Sequence, residues 1–146
     1  MVSRREFVCQ VSGGVLGALP LVSAACAPFY YAGGSLEGGR LVVSLADFGT
    51  GPFALVDAPN LPMPIYLYRH EDGSFTAVLT RCMHRGCQVE PTAGHLVCPC
   101  HGSEYDNAGA ILKGPTQYPL IRFPVETQDD QIYISLASAD SEAARP

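Results

Sequence analysis

Two short stretches concentrate the residues that could do chemistry. Cys82-Met83-His84-Arg85-Gly86-Cys87 is followed by Cys98-Pro99-Cys100-His101-Gly102-Ser103, and together they hold four of the chain's six cysteines and two of its four histidines. Each stretch offers a cysteine and a histidine at close spacing, with one cysteine to spare. Thiolate and imidazole are both metal ligands, and two of each make a four-ligand set. A [2Fe–2S] cluster with thiolates on one iron and imidazoles on the other uses this set, and so does tetrahedral Zn²⁺. Cys-x-His is tighter than the usual spacing of zinc ligands, and zinc leaves Cys87 and Cys100 without a role. A disulfide framework of an exported domain would use the cysteines but leave both histidines idle.

The pattern resembles the Rieske family, whose two loops read C-x-H-x-G-C and C-x-C-H-G-S; both motifs are matched in full. The resemblance covers roughly residues 40–136. It implies that Cys82 and Cys98 hold the inner iron and His84 and His101 the outer, solvent-facing one. It also implies a disulfide between Cys87 and Cys100 that ties the two loops together. Rieske-type ferredoxins that feed cytosolic oxygenases lack that pair. Two thiolates and two neutral imidazoles leave the oxidised site uncharged, where four thiolates would leave it doubly negative. An added electron therefore costs less, and such centres span about −150 to +300 mV against about −400 mV for plant-type clusters.

Ser103 and Tyr105 match hydroxyls that, in high-potential members, donate to a bridging sulfide and a cysteine sulfur; such donors favour the extra electron. A bland reading makes Ser103 a turn cap and Tyr105 core filling. The resemblance implies that His101 faces quinol, with electron and proton uptake linked. It further implies an electron-transfer subunit of a quinol–cytochrome c reductase-like complex, with cytochrome b-like and c-type cytochrome partners. A free periplasmic carrier, or the small subunit of another exported oxidoreductase of the arsenite oxidase kind, is the alternative. Two departures weaken the quinol-complex reading. Arg85 stands where quinol-oxidising subunits commonly carry Leu, and a charge there must be desolvated to enter an apolar pocket. The loop after Gly114-Pro115 reads Thr116-Gln117-Tyr118-Pro119 rather than Gly-Pro-Ala-Pro.

The elements around the motifs read as strands. With 15 glycines and 12 prolines in 146 residues, turns and short strands are favoured over helices. Strands are expected at Leu41–Ala46, Phe53–Asp57, Ile65–His70, Phe75–Thr80, His95–Cys98, Ser103–Asp106, Ile111-Leu112, Ile121–Glu126 and Gln131–Leu136. Glu71-Asp72-Gly73-Ser74 and Asp129-Asp130 supply hairpin turns. His70 reads as a turn residue and His95 as a surface residue. The expected fold is all-β: an antiparallel sandwich or barrel base with an inserted cluster-binding subdomain, as the resemblance implies.

Upstream, Ser3-Arg4-Arg5-Glu6-Phe7-Val8 precedes a weakly apolar run, which resembles a twin-arginine export signal. Phe7–Ala27 is also about long enough to span a bilayer, so residues 1–27 read as a signal or a membrane anchor. Export of a folded protein fits a cluster inserted first and a disulfide formed afterwards on the oxidising, periplasmic side. By composition, residues 28–39 read as a flexible linker, 40–136 as the domain and 137–146 as a disordered tail. The net charge of −5 makes nucleic acid a poor partner; it suits a basic protein partner, or solubility alone.

Overall fold

A computed structural model describes residues 30–138. The expected signal or anchor at 1–27, the first two residues of the expected linker and most of the expected tail lie outside the described residues. The described residues contain thirteen short strands, one four-residue helical turn and a closing 3₁₀ turn. The all-β expectation is met.

The middle layer is a sheet of β4 (Phe53–Val56), β5 (Ile65–Arg69) and β6 (Phe75–Leu79), edged by β1 (Tyr31–Ala32) and β11 (Arg122–Phe123). Its sequence is apolar at successive positions because both faces are covered. Ala54, Val56, Ile65, Leu67, Ala77 and Leu79 point one way. There they meet Leu41 and Val43 of β3 (Arg40–Ser44) and Ile132 and Ile134 of β13 (Gln131–Ser135). Those strands belong to a second sheet, ordered β12–β13–β3–β2, with β2 at Ser35–Glu37 and β12 at Val125–Gln128. The alternate residues Leu55, Tyr66 and Val78 point the other way, into a separate core that contains Cys82, Cys98 and Tyr105. A strand period of two thus gives one sheet two cores, and the second is where the motifs sit.

The third sheet runs β10–β9–β8–β7 and comprises Glu90–Pro91, Leu96–Val97, Glu104–Tyr105 and Ile111–Lys113 in chain order. It lies in sequence between β6 and β11, so it is an insertion into the base, as expected. The Tyr66 hydroxyl donates to Asn107 Oδ1 at 2.9 Å, joining base to insertion across 41 residues of chain. Burial raises the Tyr66 phenol, so it keeps its proton and remains a donor. Tyr66→Phe is expected to cost about 1 kcal/mol of stability, read as a lower Tm with the fold intact.

Most expected strands differ by a residue at an end, Glu90–Pro91 forms a strand where only a link is expected, and three larger differences have a physical cause. The strand expected at Leu41–Ala46 stops at Ser44, whose hydroxyl accepts the Asp47 N–H at 2.9 Å and starts the helical turn Leu45–Phe48; a Ser N-cap outcompetes the strand. The strand expected at Ile121–Glu126 is two strands in different sheets, one ending at Phe123 and one starting at Val125. Pro124 between them has no N–H to give a ladder, so the chain changes sheets there. Finally, part of the expected linker is paired: Tyr31↔Leu55 in parallel with β4, and Ser35↔Val42 in antiparallel with β3. Gly34 allows this, since a Cβ there would stand 3.1 Å from both Leu41 and Val56 side chains. Glycine here permits close approach rather than slack.

Both expected hairpins are present. Asp129 and Asp130 have φ of 47° and 62°, the doubly left-handed conformation of a tight two-residue turn, in which Asp is tolerated because its short polar side chain bonds locally.

Candidate metal centre

The two motif loops share one hydrogen-bonding plan. In the first, Cys82 N–H donates to Cys87 C=O and Gly86 N–H donates to Cys82 C=O, both at 2.8 Å. In the second, Cys98 N–H donates to Ser103 C=O at 2.8 Å and Gly102 N–H to Cys98 C=O at 3.0 Å. Each loop turns back at its fifth residue, where φ is 81° at Gly86 and 73° at Gly102. That backbone is open to glycine and strained for other residues, which explains the G in both motifs. The loops are joined by a Cys87–Cys100 disulfide, S–S 2.07 Å, the pairing that the resemblance implied. The sulfurs of Cys87, Cys98 and Cys100 lie within 4.8 Å of one another, but the two in the disulfide are not thiolates and are not a ligand set.

Among the described residues the free thiols are Cys82 and Cys98, each 1% exposed. His84 is half-buried, His101 is exposed, and their rings stand 4.9 Å apart at 90°. All four expected ligands are therefore on the two joined loops, cysteines inward and His101 outward. His70 and His95 are elsewhere: His70 Nε2 pairs with Thr76 Oγ1 at 2.6 Å, and His95 Nε2 lies 3.8 Å from Glu104.

Two hydroxyls serve this pocket, and each is aimed by a backbone N–H. Tyr105, fully buried, has its oxygen 3.3 Å from Cys82 Sγ and accepts the Met83 N–H at 3.3 Å. With its oxygen occupied, its hydrogen is free for the sulfur. Burial and this bond raise the Tyr105 phenol, so it stays protonated and donates. Ser103, also fully buried, accepts the Thr116 N–H at 3.2 Å, which likewise leaves its hydrogen for a sulfur acceptor. Burial works against ionising Cys82, but hydrogen bonds from Tyr105, the His84 backbone and Ser103 outweigh it and hold that thiol below its ordinary value. Burial pushes the Cys98 thiol up. The sequence reading names both hydroxyls but not the groups that aim them. Thr116 carries no signal beyond its place after Gly114-Pro115.

Comparison with known proteins decides the family. The Rieske [2Fe–2S] domain family matches residues 43–124, more than half of the chain. This chain is a member of the Rieske [2Fe–2S] family.

Among its Rieske relatives, the cytochrome b6-f complex iron-sulfur subunit of Chlorobaculum tepidum is 34% identical, over 92% of this chain and 76% of that one. The subunit of the same name from Prochlorococcus marinus is 33% identical, over 92% and 85%. A Nostoc relative matches over a shorter stretch, 43% of its own length. The crystal structure of the plasma-membrane Rieske protein PetC3 of Synechocystis PCC 6803 superposes with a TM-score of 0.54 at 30% identity, covering 62% of this chain and 93% of that one.

A Rieske domain binds one [2Fe–2S] cluster, and the residues here fit it. His84 Nδ1 is buried with no hydrogen-bond partner. An orphaned ring nitrogen is costly, and it is relieved if that nitrogen is a metal ligand. The two buried thiols and the exposed second imidazole complete a sulfur-and-nitrogen donor set suited to this cluster.

Proposed function

We propose that this protein is a high-potential Rieske electron-transfer subunit of an exported quinol–cytochrome c reductase-like complex. Cys82 and Cys98 hold the inner iron, and His84 and His101 the outer. When bound, the cluster takes up and releases one electron at a time. The chain's own groups do the rest. The Cys87–Cys100 disulfide holds the loops in register, Ser103 and Tyr105 donate to sulfur, and the exposed ring of His101 meets quinol and carries the coupled proton. A cytochrome b-like subunit and a c-type cytochrome are the partners, with residues 1–27 as twin-arginine signal or anchor and the head on the periplasmic side. The names of the Chlorobaculum and Prochlorococcus relatives support membership of such a complex. Among the described residues no helix is long and apolar enough to cross a membrane, and the anchor reading concerns residues outside them.

The observation that carries the high-potential reading is the Tyr105 hydroxyl on Cys82 Sγ, held there by the Met83 N–H. The test is an EPR-monitored redox titration of wild type, Tyr105→Phe and Ser103→Ala. Wild type is expected to show a Rieske signal at positive potential. Each variant should fall by about 60 mV, the one-electron equivalent of a hydrogen bond that differs by about 1.4 kcal/mol between the two redox states. A negative wild-type potential, or two unmoved variants, overturns the reading.

A second reading is favoured by Arg85, exposed beside His84. A charge at that position opposes insertion into an apolar quinol pocket, and it suits a carrier that meets its partners through solvent. Quinol-dependent reduction of the cluster with a cytochrome b-like subunit present separates the two.

A further inference from the structure

The acidic chain carries its charge unevenly. Residues 81–89 contain two arginines and no carboxylate, and 98–103 contain no charged residue besides the histidine of the motif. Arg81 and Arg85 are both exposed. Arg81 lies over the first loop, its Nε 3.4 Å from where a Cβ on Gly86 would stand. Arg85 is in that loop, between His84 and Gly86. The other described cations are mostly engaged. Arg40 faces Glu126 at 3.8 Å, Lys113 is 2.9 Å from Glu104, and Arg69 stacks on Phe48 and donates to Gly51 C=O. Among the described residues, Arg81 and Arg85 have no carboxylate within ion-pairing distance, and Glu104, the nearest acid in sequence to the second loop, is taken by Lys113 and approached by His95.

From this we infer that the two-loop tip is a cationic docking face for an acidic electron-transfer protein, opposite in sign to the partner that the chain's overall charge suggests. The inference rests on the Rieske reading for its location, since the tip matters because the electron leaves there. Exposed charges that steer an encounter act over roughly 8 Å at physiological salt, so groups beside the exit govern the approach more than distant acids do. The same arginines explain how a charged tip is tolerated: a partner's carboxylates would compensate the desolvation of Arg85 on docking.

The experiment uses the cluster-loaded protein and two anionic probes. Binding of a fluorescein-labelled poly-L-glutamate peptide is followed by anisotropy at low salt. Stopped-flow oxidation of the reduced cluster by hexacyanoferrate(III) is followed against ionic strength; one electron leaves the cluster and hexacyanoferrate(II) forms. Despite the negative net charge, the peptide is expected to bind, and the oxidation rate to fall as salt rises. Arg85→Ser and Arg81→Ser should each lower the low-salt rate by about threefold to tenfold and weaken the peptide. Arg85→Lys should restore both, and Arg40→Ser, with the same charge change in the far sheet, should leave both near wild type. Preference for poly-L-lysine, or a rate that rises with salt, would mean that the overall charge governs docking and would overturn the proposal. So would equal losses in Arg40→Ser and Arg85→Ser. EPR spectra of the same samples separate this from the parent reading: a missing Rieske signal condemns the cluster assignment, while an intact signal with the wrong salt dependence condemns only the docking face.

Discussion

Cys98→Ser protein is expected to be purified without iron and with no Rieske EPR signal, and Cys82→Ser the same. Both sulfurs are buried in the second core, among Leu55, Tyr66, Val78, Val89, Leu96, Tyr105 and Leu120. No solvent ligand has ready access to replace them, and a serine hydroxyl is a hard, weakly acidic donor where a soft thiolate is required. Losing the cluster also leaves a cost behind. His84 Nδ1 stays buried without a partner, worth about 1–3 kcal/mol against the fold. The variant should therefore unfold at lower temperature than the loaded wild type, by more than the change of one sulfur to oxygen accounts for. Iron analysis and EPR read the first effect, and calorimetry of loaded wild type against the variant reads the second. A Cys98→Ser protein with a full complement of iron would remove Cys98 from the ligand set. His101→Ala makes the complementary test: the residue is exposed, so it should lose the cluster with little packing penalty.

Breaking the Cys87–Cys100 disulfide, by Cys87→Ala with Cys100→Ala, is expected to be the second largest effect. The bridge closes 13 residues of chain, and removing a link of that span from the unfolded ensemble is worth about 3 kcal/mol. The loss bears on function because the two loops have little else to hold them together. Each is closed on itself by its own backbone bonds, and the ladder that joins their flanks is short, Glu90–Pro91 against Leu96–Val97. Without the bridge the 4.9 Å separation of the histidine rings depends on the cluster and on that two-residue ladder. The double variant should assemble a cluster under reducing, anaerobic conditions but lose it far faster in air or with a chelator, and its potential should broaden or fall. Bleaching of visible absorbance over time reads this directly. Equal cluster lifetimes in variant and wild type would show that the strand framework alone holds the loops.

Much of this centre is legible in the sequence, and for a local reason. A ligand set, a glycine at each left-handed position and a serine or cysteine at each loop end are all fixed by residues within six of one another. Those six-residue turns close on their own backbone, so little of their shape depends on the rest of the fold. The alternating apolar strands of the middle sheet are legible too, but not the fact that they serve two cores. A run such as Phe53–Val56 reads the same whether its second face meets helices, another sheet or the cluster insertion. The boundaries at Ser44 and Pro124 are not legible in the sequence, because a cap and a missing N–H outweigh strand propensity at single positions. Glycines at 33, 34, 38 and 39 suggested slack, whereas Gly34 is a close-packing position.

By itself, then, the sequence carries the candidate donors, the loop turns and the family. Only the tertiary structure decided how those donors are aimed and surrounded. Met83 and Thr116 lend backbone N–H groups to two hydroxyls, one of them 13 residues away along the chain. Arg81 is folded onto a loop it precedes, the same loop that carries exposed Arg85. Hydrogen-bond direction and local charge depend on distances between segments far apart in sequence, and those distances exist only once the sheets have packed.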